Sequence, residues 1–145
     1  MFDLNLKRRP DMQKTTTFLM FVGKQHGKAE EAINFYTSLF KNSRIINIAR
    51  SSPGQGEPEG TVKHAVFSLN GQEYMAMESS GDHSFTFTPA MSIFVKCETE
   101  EEIDGLYEKL SKGGSVLMEL NKYPFSKKFG WVQDKFGVSW QLNLV

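Results

Sequence analysis

Three histidines, one cysteine and a few glutamates are the side chains of this 145-residue chain that could do acid–base or nucleophilic chemistry. His64 stands where Val62, His64 and Val66 alternate with Ala65, Phe67 and Leu69. A strand with that alternation sends His64 to one face, where an imidazole can act as acid, base or hydrogen-bond donor near neutral pH. The plainer role is a half-buried structural histidine. His26 and His83 fall in loop sequence, where a solvated ring is the ordinary expectation, and no two histidines have the close spacing of a helix-borne metal pair. Glu73 and Glu78 flank one segment, but five residues apart on a strand they point to opposite faces and make no acid–base couple. His64 and Glu78, each by itself, are the candidates for a catalytic role. Phe85, Phe87, Phe129 and Trp131 sit at or near expected loops and pocket mouths, where aromatic rings can grip an organic ligand. Core and interface packing is the competing role.

Two familiar chemistries lack their signatures. The serine-nucleophile pattern G-x-S-x-G is absent. A methyl-transfer or nucleotide site would call for a glycine-rich turn between a strand and a helix. Gly54-Gln55-Gly56 is set between prolines with no helix after it.

The elements that must position these residues follow a repeated plan. Thr15 to Val22 is a β-branched and aromatic run that predicts a strand. Lys28 to Phe40 carries Ala29, Ala32, Ile33, Tyr36, Leu39 and Phe40 on one helical stripe, with Glu30 and Glu31 at its positive end. Strands are expected over Ser43 to Ala49, Thr61 to Leu69 and Gln72 to Glu78, the last two joined by the hairpin signal Asn70-Gly71. After a polar loop the plan recurs. Met91 to Cys97 is a strand, Thr99 to Ser111 a helix, and Ser115 to Leu120, Phe129 to Gln133 and Val138 to Leu144 are strands, with a turn at Asp134 to Gly137. An offset of 70 lays Glu30, Glu31, Ile33, Tyr36 and Phe40 on Glu100, Glu101, Ile103, Leu106 and Leu110. The matching order of elements points to duplication. The fold class is therefore α+β, with two repeated βαβββ modules, 15–80 and 90–145, in one domain over 15–145 behind a flexible arm over 1–14.

Composition narrows the partners. Lys plus Arg and Asp plus Glu are equal at 17 each, so no basic excess marks a nucleic-acid surface. A net charge near zero is a weak reason to expect self-association. One cysteine, Cys97, excludes an internal disulfide, fits a reducing compartment and reads as a small buried hydrophobe. No apolar run approaches the ~18 residues of a membrane span. Lys7, Arg8 and Arg9 are not followed by the apolar stretch of a signal peptide. A cytoplasmic protein that keeps away from nucleic acid and membrane is expected.

Three stretches carry a resemblance: Ala29 to Phe40 (AEEAINFYTSLF), His64 to Glu78 through Asn70-Gly71 and Met75-Ala76-Met77, and Phe129 to Asn143 (FGWVQDKFGVSWQLN). DKFGV followed by Trp140 is the most specific piece. The layout resembles the vicinal oxygen chelate superfamily of glyoxalase I, extradiol dioxygenases and fosfomycin-resistance proteins. More narrowly it resembles the PhnB-like branch, often labelled 3-demethylubiquinone-9 3-methyltransferase-like. The resemblance covers about residues 15 to 145. It implies paired βαβββ modules, curved mixed sheets around a pocket, and homodimers.

Metal-dependent members place His and Glu ligands on the first and last strands of each module. By motif spacing those places fall here near Thr17, five before Val22; near Ser92, five before Cys97; on Gln141, four after Gly137; and on Ala76 or Met77, with Glu78 one step beyond. None of the first five is a good ligand for a divalent ion. The resemblance thus implies a small-molecule-binding protein without the usual metal centre or any cofactor, its ligand a small organic molecule. The expected ligand-contacting set is Thr17, Met77, Phe85, Ser92, Trp131 and Gln141. The alternatives are a metal-dependent lyase, isomerase or dioxygenase using His64, Glu78 and Gln141, or a protein that sequesters a drug or metabolite. Literal methyl transfer is not expected.

Overall fold

The β-branched and aromatic runs do form strands, and each helix stripe finds a sheet face to cover. The computed structural model describes residues 12–145. Most of the arm expected over 1–14 lies outside the described residues; Gln13, within them, pairs its carboxamide with the backbone N–H and C=O of Glu73.

The chain divides into two units, 1–86 and 87–145. Module one runs β1 (Thr17–Phe21), a 3-10 turn (Gly23–Gln25), α1 (Ala29–Leu39), β2 (Arg44–Arg50), β3 (Val62–Leu69) and β4 (Gln72–Glu78). Its sheet has the order β1-β4-β3-β2, with β1 and β4 parallel and the other pairs antiparallel. Module two runs β5 (Ser92–Cys97), α2 (Glu100–Ser111), β6 (Ser115–Tyr123), β7 (Ser126–Gln133) and β8 (Ser139–Leu144). Its order, β5-β8-β7-β6, repeats that of module one. Register shifts in β2 and β6 mark bulges, which bend and twist a sheet.

In module one Ala29, Ala32, Ile33 and Tyr36 of α1 are buried, as are Phe21, Ala65, Phe67 and Ala76 of the sheet. Tyr36 and Phe67 bring their rings within 6.5 Å. In module two Ile103, Leu106 and Leu110 are buried, as are Cys97, Val132, Trp140 and Leu142. Fully burying one such aliphatic or aromatic side chain stabilises by about 1.5–3 kcal/mol, so these stripes dock the helices.

The turns follow their residues. Asn70 and Gly71 both take positive φ, as the tight hairpin they signal requires. α2 is capped by Thr99, whose side chain accepts the Glu102 N–H, while Glu102 reaches back to the Glu98 N–H. The Asp134 carboxylate is buried and organises the last turn. One oxygen accepts the N–H groups of Phe136 and Val138, and the other accepts the Trp140 indole N–H at 2.9 Å. One expectation is corrected: residues 121–128 are not a gap between short strands. β6 and β7 continue through them as a hairpin that turns at Pro124 and Phe125.

Candidate functional site

The pleat decides which side chains of module two can meet. β5 and β8 pair Ser92 with Ser139, Phe94 with Gln141 and Lys96 with Asn143. β8 and β7 pair Gln141 with Trp131 and Asn143 with Phe129. Paired residues share a face of the sheet. Ser92, Phe94, Lys96, Phe129, Trp131, Ser139, Gln141 and Asn143 therefore lie on one face, away from the one that Trp140 and Leu142 give to α2. A cavity of about 440 Å³ opens there, lined by Phe94, Met118, Phe125, Phe129, Trp131, Gln141 and Asn143. That volume lies within the range of small-molecule sites.

The walls are aromatic. Phe125 and Phe129 meet edge to face at 5.1 Å, and Tyr123 stacks on Phe125. Phe94 and Phe125 are 52% and 65% exposed, unusual for rings of this size unless something covers them. The floor is polar and bonded together. Ser92 and Ser139 share a hydroxyl hydrogen bond of 2.6 Å, the Trp131 indole N–H donates to the Ser139 hydroxyl at 2.8 Å, and the Gln141 amide donates to Ser92 at 3.3 Å. Ser126 donates to the Asn143 carboxamide oxygen at 2.5 Å.

Three of the expected ligand-contacting residues, Ser92, Trp131 and Gln141, thus come together. Thr17 and Met77 stand in module one, and Phe85 in the loop that follows it. Met77 pairs with Met20 on β1, on the face away from α1. Thr17 has the parity of Leu19 and Phe21, the helix side of that sheet. Phe85 is in the loop after β4, 54% exposed, its ring 4.7 Å from that of His83. His83 in turn bonds the Ser79 hydroxyl at 2.8 Å.

The two catalytic candidates face opposite ways. His64 is 3% exposed and meets the edge of Phe18 at 5.9 Å, on the face away from α1. Burial pushes its pKa down, favouring the neutral ring. Glu78 is paired with Phe21 on the helix side and is buried. Its carboxylate accepts the N–H of Ala29 at 3.1 Å and of Val62 at 2.6 Å. Ala29 opens α1, whose N-cap Lys28 offers no side-chain acceptor, so Glu78 does the work of a cap from across the sheet.

Ser139, Asn143, Phe94, Met118 and Phe125 line or floor the cavity without having been singled out. Stepping two residues from Gln141 in each direction, and from Ser92 in one, reaches the first three. Met118 and Phe125 were hidden by the β6 bulges and the longer hairpin.

As cation ligands the places carried over from the superfamily do not fit. Ser92 and Gln141 offer a hydroxyl and a neutral amide already bonded to one another, and Met77 a thioether. Among the described residues no three His, Cys, Asp or Glu side chains gather.

A family model described as 3-demethylubiquinone-9 3-methyltransferase matches residues 13–143. The chain belongs to this family. Its PhnB-like character is supported by a solved PhnB protein from Bacillus cereus, 61% identical, with a TM-score of 0.87, covering 92% of this chain and all of that one. Protein YjdN of Escherichia coli is 27% identical over 94 residues, 63% of this chain and 62% of that protein's length. The fosfomycin resistance protein FosX from Listeria monocytogenes, 17% identical with a TM-score of 0.62, covers 89% of this PhnB-like chain and 90% of its own. That likeness concerns the fold alone, and the fold is the glyoxalase and bleomycin-resistance one.

Proposed function

We propose that this PhnB-like protein binds a small organic molecule in the cavity of module two, and does so without a divalent metal. The observation that carries the reading is the lining. Phe94, Met118, Phe125, Phe129 and Trp131 form the walls, with Gln141 and Asn143 as the polar members. Such a site gains affinity from apolar burial and orientation from a few hydrogen bonds. The bonded serines beneath keep Gln141 and Trp131 in place. Methyl transfer, which the family description names, finds no support in Gly54-Gln55-Gly56, which lies in the loop between β2 and β3 with no helix following. A metal-assisted reaction through Glu78 is disfavoured by its two backbone partners.

Trp131 is half-buried at the cavity and Trp140 is fully buried against α2, so ligand-dependent emission changes report on Trp131. Titration with a panel of small aromatic compounds is expected to give saturable quenching that Trp131→Phe removes. Elemental analysis of protein never exposed to chelator is expected to find no stoichiometric metal. A full equivalent of zinc, nickel, manganese or iron, or the absence of any saturable ligand, would overturn the proposal. Tight binding without turnover would mark sequestration as the role.

The same reading takes the protein to work as a homodimer in the cytoplasm. Exposed apolar side chains, Phe18, Met91, Phe94 and Val116 among them, support association. Among the described residues no helix is long and apolar enough to cross a membrane. Light scattering on the eluting protein tests the dimer.

A further inference from the structure

The charge on the cavity face is one-sided. Of the residues that register pairs on that face of β5 and β8, none is Asp or Glu and Lys96 is a cation; Lys127, two before Phe129 on β7, is a second exposed lysine of the same parity. Lys96 stands two residues beyond Phe94, beside Asn143, and is exposed. Among the described residues no carboxylate pairs with it. Lys128, two strands away on β7, makes the contrast. It turns to the helix side, where Glu100 and Asp104 take its ammonium at 2.9 and 2.6 Å. The acids of α2 thus neutralise Lys128 on their own side of the sheet and leave Lys96 unmatched.

Hydrogen-bond supply points the same way. Ser126 bonds the Asn143 carboxamide oxygen, and Asn143, which also has two amide N–H donors, lines the cavity. Gln141 gives one N–H to Ser92 and keeps a second. The polar end of the site offers amide donors beside aromatic walls, and Lys96 stands next to Asn143 at its margin.

We infer that the ligand of this cavity is an aromatic carboxylate, its ring between Phe94, Phe125 and Trp131 and its carboxylate held by Lys96 and Asn143. This rests on the reading of the cavity as a ligand site and adds the ligand's charge to it.

The test compares 2-naphthoate with 2-naphthamide, alike in shape and different in charge, by Trp131 quenching on the full chain. The naphthoate is expected to bind about five-fold more tightly, the scale of one partly exposed ion pair. That preference is expected to shrink with added salt and to vanish in Lys96→Met, which keeps the stem of an exposed, unpaired side chain and leaves the fold alone. Equal affinity for the two probes, or a preference that survives Lys96→Met, overturns the inference and leaves the cavity a ligand site. Failure of both probes to bind counts against the ligand site and this inference together.

Discussion

Replacing Glu78 separates a structural role from a chemical one. Its carboxylate is 4% exposed and holds the first N–H of α1 and the first N–H of β3. Glu78→Ala leaves both donors buried with no acceptor. Each such loss costs about 1–3 kcal/mol, and removal of a negative charge from a helix N-terminus adds about 0.3–1 kcal/mol. A destabilisation of about 3–5 kcal/mol follows. Glu78→Gln keeps one carbonyl oxygen for one of the two N–H groups, so about 2 kcal/mol is expected. With a urea dependence near 2 kcal/mol per molar, the alanine variant should unfold about 2 M earlier and the glutamine variant about 1 M earlier. Far-UV circular dichroism follows the transition. Ligand quenching in the folded glutamine variant should match the parent, because Glu78 lies outside the module two cavity. If Glu78→Ala unfolds within about 0.5 kcal/mol of the parent, the capping argument is wrong. If Glu78→Gln keeps its stability and loses ligand, the carboxylate belongs to a binding site instead.

Three shorter expectations concern other buried groups. Burial, with the nearby Glu102 charge, pushes the Cys97 thiol up to about 12 against an opposing backbone hydrogen bond from Asn143, so a disulfide reagent near neutral pH should label it only as fast as the chain unfolds; rapid labelling of native protein would contradict this. Burial holds His64 below its ordinary 6.5, so the unfolded chain takes up its proton first. The stability tied to it is complete above that pH and is lost as pH falls toward the folded value, by at most about 1.4 kcal/mol per pH unit; His64→Gln should flatten the pH dependence of the urea midpoint just below 6.5, and an unchanged slope would assign the proton elsewhere. At Gly114 a Cβ would stand 2.1 Å from the Gln133 carbonyl oxygen, a backbone atom that cannot swing aside, so Gly114→Ala should cost roughly 2–4 kcal/mol in thermal or urea unfolding; parental stability would show that β6 can shift its start.

The fold was legible because its local signals agree. Asn70-Gly71 takes the two positive φ angles the hairpin needs, and the offset of 70 lays buried Ile33 on buried Ile103 and Tyr36 on Leu106. The hairpin at Pro124 and Phe125 was less legible. Register shifts in β6 break the period of two, so no clean alternation runs through residues 116–123.

Faces were harder to read than elements, for a geometric reason. Thr17 and Ser92 were matched by counting five back from Val22 and from Cys97. The backbone matches Phe21 with Cys97 instead: Phe21 accepts the Ser79 N–H and Cys97 the Val145 N–H, each one residue past its module's last strand. That single step turns Thr17 to the helix side and leaves Ser92 on the cavity side, because a slip of one reverses a strand. Gln141 needed no such match, being placed from Gly137 within its own turn and strand. The correct parity exposes a difference between the modules. On the face away from its helix, module one sets Phe18, Met20, Met75 and Met77 around a histidine whose burial favours the neutral form. Module two sets bonded serines, two carboxamides and a lysine among its rings. A ligand with a polar end is better accommodated by the second, where donors are already positioned. The duplicated fold supplies two similar sheets, and the side chains on one face of the second make it the candidate site.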